Sequence, residues 1–373
     1  MKSYLIAPNA FKHALSADMA AVAVARGILA EDPAAVCRLF PVGDGGDGTG
    51  ELIRRHLGGE SVSMPAADPL GRPRVVSYAL VDAGKTAVIE MASATGLRLL
   101  EDGERNPMAA TSFGTGTLIC DALDRGVRKV LLCVGGSATV DGGMGILRAL
   151  GARFKDASGR ELATPSELHL LDRVELTSMN KRKNRAEFNV LCDVRNPLLG
   201  PNGAAAVFGP QKGAAPRMVE QLEAGLRRLR EVVRDLAQID LAAIPYGGAA
   251  GGVAAGLHAF LGAALVSGTE SFLDLTGFDR ALEGIDTVIT GEGGLDAQTL
   301  EGKAPFGVAT RAKRLGRRVI FLTGRVSPDI KAVSVPFDTV IDINEGKGPD
   351  SDPLKDTEPN LERAGRRIAS LYK

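Results

Sequence analysis

Three short runs in this 373-residue chain mix glycine with acids or hydroxyls, each just after an apolar stretch. Val42 leads into Gly43-Asp44-Gly45-Gly46-Asp47-Gly48-Thr49, and Val134 into Gly135-Gly136-Ser137-Ala138-Thr139-Val140-Asp141-Gly142-Gly143. Thr290 leads into Gly291-Glu292-Gly293-Gly294-Leu295-Asp296. Glycine lets a backbone approach a phosphate closely, and the helix that follows offers unpaired N–H groups. A tight turn alone also uses glycine, but three such loops with interleaved acids point to ligand chemistry. Gly43, Gly45 and Gly48 even satisfy the dinucleotide spacing G-x-G-x-x-G. Yet Asp44 and Asp47 would repel a bare pyrophosphate, by about 1 kcal/mol at 4 Å in water and about 4 at an effective dielectric of 20. A divalent cation reverses that sign, and Mg²⁺ takes one or two carboxylates together with water and phosphate oxygens. The acids therefore favour a metal–nucleotide complex over a nicotinamide cofactor. No G-x-x-x-x-G-K-[ST] occurs, so a kinase here is not of the P-loop kind.

Cations stand in matching contexts. Lys212 sits in Phe208-Gly209-Pro210-Gln211-Lys212-Gly213, Lys12 follows the first apolar run, and Lys303 opens a helical stretch. Either of the first two could hold a phosphate as a point charge. The histidines, His13, His56, His169 and His258, show no metalloprotease spacing, and no G-x-S-x-G elbow is present. Cys37, Cys120, Cys133 and Cys192 are isolated, which suggests free thiols in a reducing compartment.

These residues need elements to carry them. Tyr4 to Ala7, Val36 to Val42, Thr287 to Thr290, Val319 to Thr323 and Asp338 to Ile343 read as strands. Helices between them begin after Ser16, at Thr49 and at Phe306, and close the chain. Val62 to Glu90 alternates around Asp68-Pro69, Gly71 and Asp82-Ala83-Gly84, the pattern of antiparallel hairpins. Val219 to Leu236 has Leu222, Leu226, Leu229 and Val233 at helical spacing. The ends read alike and the middle differs. The expectation is an α/β protein of two domains. Residues 1–62 plus 283–373 would form a Rossmann- or flavodoxin-like parallel-sheet domain, residues 63–282 an inserted mixed α/β domain, with the active site in the cleft between them.

Composition narrows the function classes. Lys+Arg and Asp+Glu both number 45, aromatics are 4% and Trp is absent, which argues against nucleic-acid binding. No apolar run approaches a membrane span, and the N-terminus lacks a signal-peptide core, so a cytoplasmic protein without membrane partners is expected. Glycine, at 46 residues, is in excess.

The motifs resemble the type I glycerate kinase family. Pro8-Asn9-Ala10-Phe11-Lys12, Asp44-Gly45-Gly46-Asp47-Gly48-Thr49, Gly135-Gly136-Ser137-Ala138-Thr139, Cys192-Asp193-Val194, Gly200-Pro201-Asn202-Gly203, Phe208-Gly209-Pro210-Gln211-Lys212-Gly213 and Thr290-Gly291-Glu292-Gly293 follow its pattern in order. His13, Val140, Arg195 and Gly294 depart from it, standing where Gly, Asn, Thr and Arg are usual. The last departure removes a cation that another residue must supply. The resemblance implies transfer of the γ-phosphoryl group of ATP, with Mg²⁺, to a hydroxyl of D-glycerate. Competing classes are an NAD-dependent oxidoreductase and a non-enzymatic two-domain binding protein.

On that reading the metal falls to Asp44, Asp47, Glu292 and Asp296. The nucleotide falls to Gly45, Gly46, Gly135, Gly136, Ser137, Thr139, Gly291 and Gly293, and the cations to Lys12 and Lys212. Asp193, which follows an apolar strand, is the first candidate for general base and Asp141 the second. The acceptor hydroxyl, the oligomeric state and the nucleotide preference stay open.

Overall fold

The computed structural model describes residues 2–12, 14–179, 184–192, 194–296, 303–327, 336–345, 352 and 354–371. The chain opens with β1 (Ser3–Ile6), the helix Ala17–Glu31 and β2 (Val36–Leu39). Next come the helix Thr49–Leu57, β3 (Glu60–Ala67), β4 (Pro73–Val81), β5 (Thr86–Glu90), the helix Phe113–Asp124 and β6 (Lys129–Cys133). The helix Met144–Ala149, β7 (Arg153–Asp156), β8 (Leu171–Glu175), β9 (Glu187–Cys192), the helices Pro216–Ala237 and Val253–Leu261, and β10 (Ala264–Ser267) follow. The helices Gly268–Thr276 and Phe278–Ala281, β11 (Thr287–Glu292), the helix Ala304–Arg314, β12 (Arg318–Thr323), β13 (Thr339–Asp342) and the helix Thr357–Leu371 complete it. Local signals place these ends well. Ser16 caps its helix by accepting the Met19 N–H at 3.4 Å, and Gly58 closes the helix from Thr49 in a left-handed conformation.

The chain divides into two compact units, residues 1–44 with 269–373 and residues 45–268. In the terminal unit five parallel strands run β13-β12-β11-β1-β2 around a core that includes Tyr4, Ile6, Ile289 and Ile320. Crossovers leave β1 toward β2 and β11 toward β12, so the winding reverses between β1 and β11. Ligands of open α/β sheets bind at such switch points.

In the inserted unit six strands run β10-β9-β6-β5-β4-β3. The first four are parallel, and β5, β4 and β3 are antiparallel hairpin partners. Its separate core includes Ile89, Leu132, Val190 and the inward row Leu222, Leu226, Leu229 and Val233.

The unit limits differ from those the sequence suggests, 62/63 and 282/283. The helix Thr49–Leu57 belongs to the insert, because a Cβ on Gly59 would lie 2.6 Å from the Leu80 carbonyl and the Gly50 N–H donates to Glu90 at 2.6 Å. Gly268–Thr276 and Phe278–Ala281 belong to the terminal unit. Arg311 reaches Glu270 and Asp274 at 2.5 and 2.6 Å, and Phe278 packs edge-on against Phe40. Periodicity shows where a helix is; packing decides which sheet it covers. Among the described residues no helix is long and apolar enough to cross a membrane.

Candidate active site

Two of the three glycine loops meet within the inserted unit. Gly135 N–H donates to Gly45 O at 3.0 Å, and a Cβ on Gly135 would lie 2.4 Å from the Gly46 Cα. Only glycine permits that approach. Gly136 takes φ +71°, and its carbonyl accepts the Leu97 N–H at 2.8 Å, while Ala138 N–H donates to Thr95 O at 2.9 Å. The loop is thus pinned from both sides. The Gly136 and Ser137 N–H groups have no acceptor among the described residues, so they are the donors it retains for an anion.

Lys212 closes this loop from above. The short turn Pro210–Lys212 brings its Nζ to Ser137 Oγ at 3.1 Å and Thr139 O at 2.8 Å. The residue is 4% exposed. Burial drives its pKa from the ordinary 10.5 down to about 7, opposed by the charge of Asp141. Its two partners among the described residues use two of three N–H donors, leaving one for a ligand oxygen. The Thr139 hydroxyl is buried in the same loop without a partner among the described residues.

The acids divide more sharply than their sequence context suggests. Asp141 is fully buried. Its Oδ2 accepts from Ser112 N–H at 2.9 Å, Ser112 Oγ at 2.7 Å and Gly145 N–H at 3.1 Å, and its Oδ1 from Gly143 N–H at 3.0 Å. A carboxylate so occupied, and buried from solvent, fastens two helix starts, Phe113 and Met144. The second candidate for base therefore takes a structural part. Asp193, the first, lies outside the described residues.

The first loop also turns inward. Gly45 N–H donates to Thr49 Oγ1 at 3.1 Å, and Gly50 N–H donates to Glu90. Burial raises the Glu90 pKa, partly offset by that N–H. Asp47 pairs with Arg98 at 3.0 Å. Glu90 and Arg98 were missed in the sequence, although the rule that singles out Asp193, an acid at the end of an apolar strand, applies equally to Glu90.

In the terminal unit the remaining candidates gather at the β1/β11 switch point. Asn9 N–H donates to Gly291 O at 2.9 Å and Asn9 Nδ2 to Asp44 Oδ2 at 3.0 Å, so one side chain ties two loops. A Cβ on Gly291 would lie 2.2 Å from Leu322 O, which reserves the place for glycine. Glu292 is buried at the end of β11. The Lys12 backbone N lies 3.6 Å from where a Gly293 Cβ would be, and its side chain is exposed. Asp296 faces Lys303 at 3.9 Å. Asp47 thus parts from Asp44, Glu292 and Asp296, which fall in the other unit. Among the described residues no three His, Cys, Asp or Glu side chains form a ready-made metal site. The donors present, carboxylates in glycine loops, are the hard oxygens that suit Mg²⁺ when water and phosphate complete its shell.

Glycine loops at the C-terminal ends of parallel strands, with a buried lysine on one of them, define an α/β enzyme that handles phosphate. The sequence matches the Glycerate kinase family over residues 4–373. It is 39% identical to a glycerate kinase of Halalkalibacterium halodurans, covering 99% of this chain and 98% of the relative. It is 38% identical to a glycerate 2-kinase of Escherichia coli strain K12, covering 98% and 97%. The crystal structure of an inferred glycerate kinase 2 from Salmonella typhimurium LT2 superposes with a TM-score of 0.83 at 38% identity, over all of this chain and 98% of that one. The chain belongs to the glycerate kinase family and is a phosphotransferase with an alcohol group as acceptor.

Proposed function

We propose that this chain binds ATP through the loop Gly135–Thr139 and Lys212 and transfers the γ-phosphoryl group to the 2-hydroxyl of D-glycerate. One observation carries the reading: a buried lysine, touching no carboxylate among the described residues, hangs on a glycine loop whose Gly136 and Ser137 N–H groups have no acceptor among those residues. Phosphoryl transfer asks the protein chiefly to position groups and to neutralise oxygens. The two amides and the third Lys212 N–H fill that part, and the Ser137 hydroxyl steers the ammonium. Gly45 and Gly46 shape the loop from behind.

The β1/β11 switch point carries the remaining assignments. Asp44, Glu292 and Asp296 would hold Mg²⁺ or its waters, and Lys12 with the Gly291 and Gly293 backbone would meet anionic oxygens. Mg²⁺ bound there would neutralise charge on phosphate oxygens. Asp47, paired with Arg98, serves this purpose only by leaving that partner. Asp193 is proposed as general base on its strand-end position and family context. Asp193→Asn is expected to lower kcat at least ~100-fold with the fold intact, and near-normal turnover would reject the role. The 2-hydroxyl is preferred because the Escherichia coli relative is described as a glycerate 2-kinase.

The test is ATP consumption on addition of D-glycerate, with and without Mg²⁺, followed by NMR of the product. Proton–phosphorus coupling at C2 is expected. Coupling at C3 would move the acceptor, and no ATP turnover would overturn the function.

A further inference from the structure

Asp141 has no direct part in the chemistry just assigned, yet it is the best-tethered carboxylate in the loop. It lies two residues past Thr139, whose carbonyl holds the Lys212 ammonium at 2.8 Å. Four donors converge on it, from Ser112 N and Oγ, Gly143 N and Gly145 N. The Ser112 hydroxyl donates to Asp141 and itself accepts the Ile146 N–H at 3.0 Å, so a single Asp–Ser pair locks the starts of two buried helices. An acceptor-only carboxylate is what this donor set requires.

We infer that Asp141, locked by Ser112, is a positioning residue that keeps Lys212 charged and in place over the phosphate-binding loop. The inference rests on reading Lys212 as a phosphate cation. An ammonium taken out of water is held in its charged form by a nearby negative charge. The partners touching Lys212 are a hydroxyl and a carbonyl, both neutral. Arg105, whose backbone packs against Gly213 next door, turns its guanidinium to Asp102 at 2.7 Å. Among the described residues, Asp141 is the charge that acts on Lys212. Removing it would leave the ammonium with neutral partners alone and favour loss of its proton. The same tether sets the course of the loop, so Asp141 fixes both where the cation stands and whether it is a cation.

The test is the pH profile of kcat/KM for ATP, which reports groups of the free enzyme. Wild type is expected to lose activity on an alkaline limb as Lys212 deprotonates. Asp141→Asn should move that limb down by about one pH unit. Ser112→Ala removes a tether but keeps the charge, so it should lower Tm and leave the limb in place. Lys212→Arg, which does not titrate in this range, should abolish the limb. An Asp141→Asn enzyme whose activity falls only in step with its Tm, with the limb unmoved, would overturn the inference. So would Ser112→Ala moving the limb as far as Asp141→Asn does.

Should Asp141→Asn not fold, Asp141→Glu keeps the charge but displaces the carboxylate by one methylene. A fall in kcat with an unmoved limb supports positioning, and unchanged kcat at lowered Tm refutes it. ADP binding by calorimetry separates the two layers of argument. Failure of wild type to bind ADP would refute the reading of Lys212. Wild-type binding with the same pH dependence in Asp141→Asn would refute only the role of Asp141.

Discussion

Lys212→Met should stabilise the inserted unit at neutral pH while removing activity. A lysine whose pKa falls from 10.5 to about 7 on burial disfavours the folded state by about 5 kcal/mol at or below pH 7. Methionine fills a similar volume without charge. The substitution forfeits two hydrogen bonds, to Ser137 Oγ and Thr139 O, at about 1 kcal/mol each, and leaves the Thr139 carbonyl short of a donor. The net gain near pH 6.5 is then about 2 kcal/mol, or roughly 4–8 °C in Tm for a unit of this size.

The sign depends on pH in a definite way. Between about 7 and 10.5 the unfolded lysine binds a proton that the folded one has shed, so wild-type stability rises with pH through that window. Near pH 9 the burial penalty is down to about 2 kcal/mol, and the variant should be the less stable of the two by about 1 kcal/mol. The assay is thermal unfolding of both proteins at pH 6.5, 7.5 and 9, with ATP turnover on D-glycerate alongside. Turnover should drop at least ~100-fold. A variant less stable than wild type at pH 6.5, or a difference that does not vary with pH, would refute the view of Lys212 as a strained, functional cation.

Gly135→Ala should force the two glycine loops apart, since its Cβ would meet the Gly46 Cα at 2.4 Å; a stability loss of about 1–3 kcal/mol and a fall in kcat/KM are expected from melting curves and kinetics. Glu90→Gln should leave the protein at least as stable at pH 7, because a carboxyl whose pKa burial raises destabilises the fold once ionised; the advantage should vanish as pH falls below about 4, and an equal advantage at pH 4 would reject the cause. Arg98→Ala should change stability by under about 1 kcal/mol, since its pair with Asp47 is half-exposed, and a double-mutant cycle with Asp47→Asn in ATP KM measures whether the pair is coupled to nucleotide binding.

Much of this protein is written locally. Ser16 and Gly58 mark helix ends because capping and left-handed turns act within four residues, and apolar runs such as Val130-Leu131-Leu132 mark buried strands for the same reason. The glycine loops are legible because few other residues tolerate such backbone, and together with the lysine motif they carry the family. What each acid in them does is not legible. Asp44 and Asp47 look equivalent three positions apart, yet Asn9 claims one and Arg98 the other. Asp141 resembles a free catalytic acid until Ser112, 29 residues earlier, is seen to occupy it. Lys212 and Lys12 read alike, but only one is buried against Ser137, 75 residues away.

The sequence by itself therefore determined the α/β class, the order of the elements, the three glycine loops and the resemblance to glycerate kinases. Tertiary structure decided which helix joins which unit, which amides remain for a phosphate, and which charges are locked in place. The reason is physical: backbone conformation answers to near neighbours, whereas desolvation and hydrogen-bond partners come from residues the chain brings together only on folding.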